Sequence, residues 1–181
     1  LTFIETGRDT TYGLTPSEVV RGDVHWVAGI VDQGLPWWPA GYQYAATTWI
    51  IVATLLLSAA GLAGLAARRM PERLPAGLVA GLGLVIMAAG SSLSAVAPFT
   101  WALLDGPLVP FRNVHKFDPL LRLPLALGIA WAVVALGTVL AAAAARRQPT
   151  ADLQRAGRAV PAVLAALLVL AVGAPLATPG V

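Results

Sequence analysis

Between Phe111 and Arg122 the chain gathers Arg112, His115, Lys116, Asp118 and Arg122, although only 12% of its residues are charged. Lys116 is its only lysine; every other cationic side chain is arginine. Arginine offers a planar fork to an anion and lysine offers a point charge, so Arg112, His115, Lys116 and Arg122 could converge on one anionic group, most simply a phosphate. Cations beside His115 would favour the neutral imidazole, which can both donate and accept a hydrogen bond. Two members also have structural readings. Asp118 followed by Pro119 is a good N-cap and first-turn pair for a helix, and Arg122 could extend from that helix end towards lipid head groups.

The elements that must hold this cluster are apolar helices. Hydrophobic residues make up 57% of the 181-residue chain and its mean hydropathy is +0.75, far from a soluble domain. Crossing the hydrocarbon core takes about 20 apolar residues in a helix. Four segments approach that length, at about 44–67, 74–97, 124–145 and 160–176. The class expected is therefore an all-α, polytopic helical membrane protein with about four transmembrane helices. None of these segments is a short apolar run behind an N-terminal basic patch, so none reads as a secretory signal. A chain that begins at Leu1 and ends directly after a span is expected to be an internal part of a larger membrane protein, packed against further helices.

Composition also excludes. With no cysteine, disulfides, thiolate metal sites and cysteine nucleophiles are ruled out. Two histidines, His25 and His115, are too few for a zinc site, so neither metal nor cofactor is expected. A net charge of +3 does not imply a nucleic-acid partner.

The arginines set the orientation. Arg68, Arg69 and Arg73 lie between the first and second spans; Arg146, Arg147, Arg155 and Arg158 lie between the third and fourth. The positive-inside rule assigns both connections to the cytoplasm. Residues 1–43 and the loop 98–123 then face outward as a periplasmic-side segment and an outer loop, with residues 44–181 forming the bundle. Glu5, Asp9, Glu18, Asp23, Asp32, Asp105 and Asp118 fall on that outer side with both histidines. The cations of 111–122 are not needed for topology and work against it.

Within 1–43, Thr15-Pro16-Ser17-Glu18 reads as a capping box opening a helix. Val20, Val24, Val27 and Val31 continue at helical spacing as an interfacial amphipathic stripe, ended by Gly34-Leu35-Pro36. Arg8-Asp9-Thr10-Thr11 reads as loop. Trp26, Trp37 and Trp38 could stack on sugar rings, but tryptophan beside a span is more often an interfacial anchor. His25 reads as a packed, hydrogen-bonded histidine. Pro98, Pro107, Pro110, Pro119 and Pro124 make the second outer loop a stiff, largely non-helical path, which near a membrane must be buried in protein or line a cavity.

The run Phe-Arg-Asn-Val-His-Lys-Phe-Asp-Pro-Leu-Leu-Arg-Leu-Pro-Leu-Ala-Leu-Gly at 111–128 resembles a hallmark segment of bacterial α-(1→3)-arabinofuranosyltransferases. Arg21-Gly22, His25-Trp26-Val27 and Pro36 to Tyr42 are similar to the same family. The resemblance implies a GT-C-like transmembrane bundle in the cytoplasmic membrane. It implies an enzyme transferring arabinofuranose from a polyprenyl-phosphate donor to cell-wall arabinan at the outer face. Arg112, His115, Lys116 and Arg122 would bind the donor phosphate, where charge develops as it leaves. In such enzymes an acidic residue of the first outer loop is the general base; here the catalytic residue is unassigned and is expected to precede Leu1, with neither Asp9 nor Asp23 given the role. The chain has fewer spans than the family's enzymes and lacks their large glycan-binding modules. Two other readings compete: a transporter or flippase of a lipid-linked glycan, which should carry charge inside its spans where these four carry none, and a structural helix bundle.

Overall fold

The computed structural model describes residues 6–147 and 151–177. Eight α-helices and one two-stranded hairpin follow in order. They are α1 (Gly7–Thr11), α2 (Pro16–Arg21), β1 (Val31–Asp32), β2 (Leu35–Pro36), α3 (Pro39–Ala46), α4 (Thr48–Ala66), α5 (Arg73–Ala88), α6 (Ala97–Asp105), α7 (Asp118–Arg147) and α8 (Ala151–Ala177). Short 3-10 turns occupy Trp26–Gly29, Val109–Phe111 and Val114–Phe117. The architecture is the all-α membrane bundle expected.

Three helices, α4, α7 and α8, are long and apolar enough to cross a membrane. The second expected span is shorter. α5 has 16 residues, about 24 Å at 1.5 Å per residue. It stops because the Gly90-Ser91-Ser92 stretch offers its backbone other partners. The carbonyl of Gly90 accepts from Thr11 Oγ1 at 3.1 Å and from Trp101 Nε1 at 2.9 Å, and the Ser92 N–H donates to Tyr12 O at 2.9 Å. The first span is also divided: α3 ends and α4 begins across Thr47, whose backbone is extended.

Glycine lets the long helices touch through their backbones, as small residues do where lipid supplies no hydrophobic drive. A side chain at Gly64 would fall 1.8 Å from Gly128 O, and one at Gly128 would fall 2.0 Å from Gly61 O, so α4 and α7 meet with nothing between them. Gly157 of α8 also lies close on Ala141 of α7, and Gly83 of α5 on Leu120, where an added Cβ would fall 2.9 Å from its nearest neighbour. α4 and α7 run in one direction, with α5 and α8 returning against α7. The faces turned away from this core stay apolar: Leu123, Leu127, Val134 and Val139 of α7 are each more than half exposed. In water that surface would be a liability; it suits a helix facing hydrocarbon.

The direction of the helices places Arg68, Arg69, Arg73 and Arg146 at one end of the bundle. Residues 6–43 and the 98–117 stretch cover the other end.

Candidate functional site

The covered end departs from its sequence reading in four places. Arg8-Asp9-Thr10-Thr11 is helix: Thr6 and Asp9 form a capping box, the Asp9 carboxylate accepting from the Thr6 N–H at 3.1 Å while Thr6 Oγ1 accepts from the Asp9 N–H at 3.2 Å. The helix opened by Thr15 does form, with its box closed by Glu18, but it ends after one turn and a half. Gly22 sits at φ +94°, a left-handed C-cap that glycine adopts without strain. The valine stripe therefore does not lie along one helix, and Val31 belongs to a hairpin whose turn uses positive φ at Gln33 and Gly34. The second loop is also less irregular than its prolines suggested, because Pro98 opens α6 at a position where its missing N–H costs nothing.

Arg122 and Asp118 account for the fourth. Asp118 is not an N-cap: its backbone is helical, at φ −51° and ψ −37°, and its carboxylate accepts from Arg122 Nε at 2.8 Å. Arg122 does not reach outward. Its remaining nitrogens donate to Val19 O and Val20 O, closing the carbonyl end of α2 where Gly22 leaves the helix. A Cβ at Gly22 would approach the Arg122 guanidinium to 3.3 Å.

Arg21 anchors the same turn from its other side. It is 8% exposed, donates to Tyr44 O at 2.6 Å and pairs with Asp23 at 2.5 Å. Burial raises the Asp23 carboxyl above its ordinary value, and the Arg21 charge opposes that. A cavity of about 300 Å³ lies between Arg21, Tyr44, Ser58, Arg122 and Val172.

The four cations proposed for one anion thus face different partners. Arg122 is committed to α2. Arg112 lies 3.4 Å from Asp105, and its carbonyl accepts from Thr10 Oγ1 at 3.1 Å; Asp105 also accepts from the Gly7 N–H at 2.5 Å. His115 stacks on His25, with ring centroids 4.2 Å apart and planes at 34°. Lys116, next to it, is exposed, and no carboxylate pairs with it among the described residues. Phe111 and Phe117 rest on each other, 5.9 Å apart, and support this turn.

Sequence reasoning missed the meeting of His25 with His115. His25 is packed and hydrogen-bonded as expected, its Nδ1 accepting from the Val27 N–H at 3.3 Å, and burial lowers its pKa below the usual imidazole value. The one signal available was that both histidines fall in the two outer segments carrying the family resemblance. Trp37 and Trp38 are substantially exposed, in keeping with rings beside a span, and the rings of Trp38 and His25 form a T-shaped pair with centroids 5.5 Å apart. The side chain of Trp26 and all of Glu5 lie outside the described residues, as do the side chains of Arg147, Asp152 and Arg158. Among the described residues no group of three or more metal-ligating side chains comes together.

Comparison with known proteins matches the family described as α-(1→3)-arabinofuranosyltransferase, N-terminal GT-C domain, over residues 1–181. An α-(1→3)-arabinofuranosyltransferase of Mycolicibacterium smegmatis is 38% identical over 132 residues, 71% of this chain and 9% of that protein. One of Mycobacterium tuberculosis is 38% identical over 133 residues, 72% of this chain and again 9% of the relative. No solved structure matches. The match over the whole 181 residues settles the family: the chain belongs to the N-terminal GT-C domains of the α-(1→3)-arabinofuranosyltransferases.

Proposed function

We propose that this chain is the donor-binding part of a membrane arabinofuranosyltransferase, working at the outer face of the cytoplasmic membrane on a polyprenyl-phosphate arabinofuranose and an arabinan acceptor. The observation that carries the reading is Lys116: an exposed cation beside His115, at the end of the bundle opposite Arg68, Arg69, Arg73 and Arg146, in a chain of a glycosyltransferase family. In the transfer, the bond between the anomeric carbon and the phosphate oxygen breaks. The acceptor oxygen bonds to that carbon, and the acceptor proton passes to a base. Negative charge gathers on the departing lipid phosphate, where a positioned cation lowers the barrier. Lys116 supplies the point charge, His115 a hydrogen bond, and Arg112 a guanidinium that must share itself with Asp105. Arg122 shapes the α2 turn and contributes indirectly. The base is not assigned: Asp9 serves its capping box and Asp23 its ion pair.

In the full-length enzyme, Lys116→Ala should lower turnover of prenyl-phosphate arabinose about 10²-fold, the size expected for removing one group that stabilises developing charge. Normal rates in both Lys116→Ala and Arg112→Ala would end the phosphate assignment. Turnover of a short-chain donor in detergent, where nothing needs to cross a bilayer, distinguishes the enzyme from a carrier of lipid-linked glycan.

A further inference from the structure

The contact between His25 and His115 joins two parts of the chain ninety positions apart, and it is the last step of a chain of ring contacts. Trp38, N-cap of α3, lies so close over Gly41 that a Cβ there would fall 2.1 Å from its ring. The rings of His25 and Trp38 meet at a steep angle of 71°, with centroids 5.5 Å apart. His25 is further held by the Val27 N–H, which donates to Nδ1 and leaves the ring proton of the neutral form on Nε2. Against this fixed imidazole lies the face of His115, at 4.2 Å, and Lys116 follows directly.

We infer that His25 is a positioning residue, which sets the orientation of the His115 imidazole towards the bound anion through ring-on-ring contact. The inference rests on the reading of His115 as a donor-phosphate contact. A 3-10 turn of four residues, Val114–Phe117, has little of its own to fix a side chain. One face of His115 needs a rigid surface if its ring nitrogens are to keep a single direction. His25 supplies that surface because it is tied to backbone on its own side and backed by Trp38. A polar hand on a short turn is thus oriented by a second shell drawn from the other outer segment.

The test is steady-state kinetics of the full-length enzyme with a prenyl-phosphate arabinose donor, comparing His115→Ala, His25→Ala, His25→Asn, His25→Phe and the double alanine variant. His115→Ala should raise the donor KM about tenfold, the size of one charge-assisted hydrogen bond. His25→Ala and His25→Asn should raise it about fivefold with kcat nearly unchanged, a partial loss of that same contact. His25→Phe, which keeps a flat ring, should stay within about twofold of the native enzyme. The double variant should be no worse than His115→Ala alone, since the two residues act in series. A purely structural His25 gives the opposite order, because asparagine can still accept from Val27 and phenylalanine cannot. That order, or multiplying effects in the double variant, overturns the inference. An unchanged donor KM in His115→Ala would instead remove His115 from the phosphate site, and the inference with it.

Discussion

The two ends of the bundle use arginine differently. At one end Arg68, Arg69, Arg73 and Arg146 are exposed. At the other, Arg21, Arg112 and Arg122 are buried or half-buried, and each is paired with an aspartate two, seven or four positions away in the chain, while the exposed Arg8 lies over the rings of Tyr12 and Trp101. The first set can act only as charge near a surface, which is what orients a helical protein in a membrane. The second set acts as structure: each of these three guanidinium groups meets a carboxylate, and those of Arg21 and Arg122 also hold backbone carbonyls. Lys116 belongs to neither set. It is an exposed cation at the paired end, so it is free to serve a ligand without loosening the fold.

Arg21→Met should do the greatest damage to stability. The pair with Asp23 is almost wholly buried, with side chains 5% and 10% exposed. Removing one member of such a pair costs about 3–5 kcal/mol, because the other charge stays behind without compensation. A large fall in the apparent melting temperature of the detergent-solubilised protein is expected. Arg21→Met combined with Asp23→Asn should recover most of it. The sign with pH follows from Asp23, whose carboxyl burial already holds above its ordinary value. The folded state therefore keeps that proton more tightly than the unfolded chain does, and losing Arg21 strengthens the preference. The defect should shrink as pH falls towards the range where Asp23 is protonated. A defect independent of pH, or a double variant as unstable as the single, would show that the ion pair is not what holds this turn.

Arg122→Ala comes next, at about 2 kcal/mol, since it leaves the Val19 and Val20 carbonyls without their donor while Asp118 stays partly open to solvent. Asp118→Asn, which keeps an acceptor for Nε, should cost about 1 kcal/mol or less. If Arg122 instead binds the donor phosphate directly, Arg122→Ala would change turnover as strongly as Lys116→Ala while leaving the melting temperature alone.

These contrasts mark how far the sequence could be read. Hydropathy gave away the helical bundle, because it depends on composition over long stretches. Thr15-Pro16-Ser17-Glu18 gave away a helix start, because a capping box is local chemistry. The length of that helix was decided by Gly22, a single glycine with Arg122 above it, and a valine pattern continued across it regardless. Three contacts at the covered end were hidden in the same way. Arg122 looked outward from the sequence because its partners, Val19 and Val20, are backbone atoms a hundred positions away. Asp105 gave no sign of joining Gly7 to Arg112. His25 and His115 meet only once α2, α3 and the Val114–Phe117 turn are all in place. The exposure of Lys116 needed no such partner to be foreseen.

His25 offers a smaller effect that sharpens the same contrast. Burial lowers its pKa below 6.5, so the unfolded chain binds that proton more tightly than the folded one. Its neutral form thus contributes stability that is complete above about pH 6.5 and declines as pH falls through the folded value. His25→Phe should flatten the change in melting temperature across that window, leaving the steeper carboxylate region below it intact. An unaltered pH profile would move the titration to some other group and leave His25 as packing alone.

The smallest effect belongs to the exposed end. Arg68→Gln with Arg69→Gln removes no hydrogen bond or ion pair among the described residues, and both side chains are exposed. Surface changes of this kind stay within about 0.5 kcal/mol, so melting in detergent should be nearly unchanged. What the pair contributes is orientation, and the readout is accessibility in sealed cells. A cysteine at exposed Lys116 should react with an impermeant maleimide from outside in the native background. Moving positive charge away from the 68–73 connection should lower the fraction labelled, because the rule counts arginines near the ends of spans and not their contacts. A cysteine at 116 that never labels from outside would place the paired end in the cytoplasm. Were Arg68→Gln with Arg69→Gln instead to destabilise the solubilised protein as Arg21→Met does, the distinction between arginine as surface charge and arginine as structure would fail at the end where it is simplest.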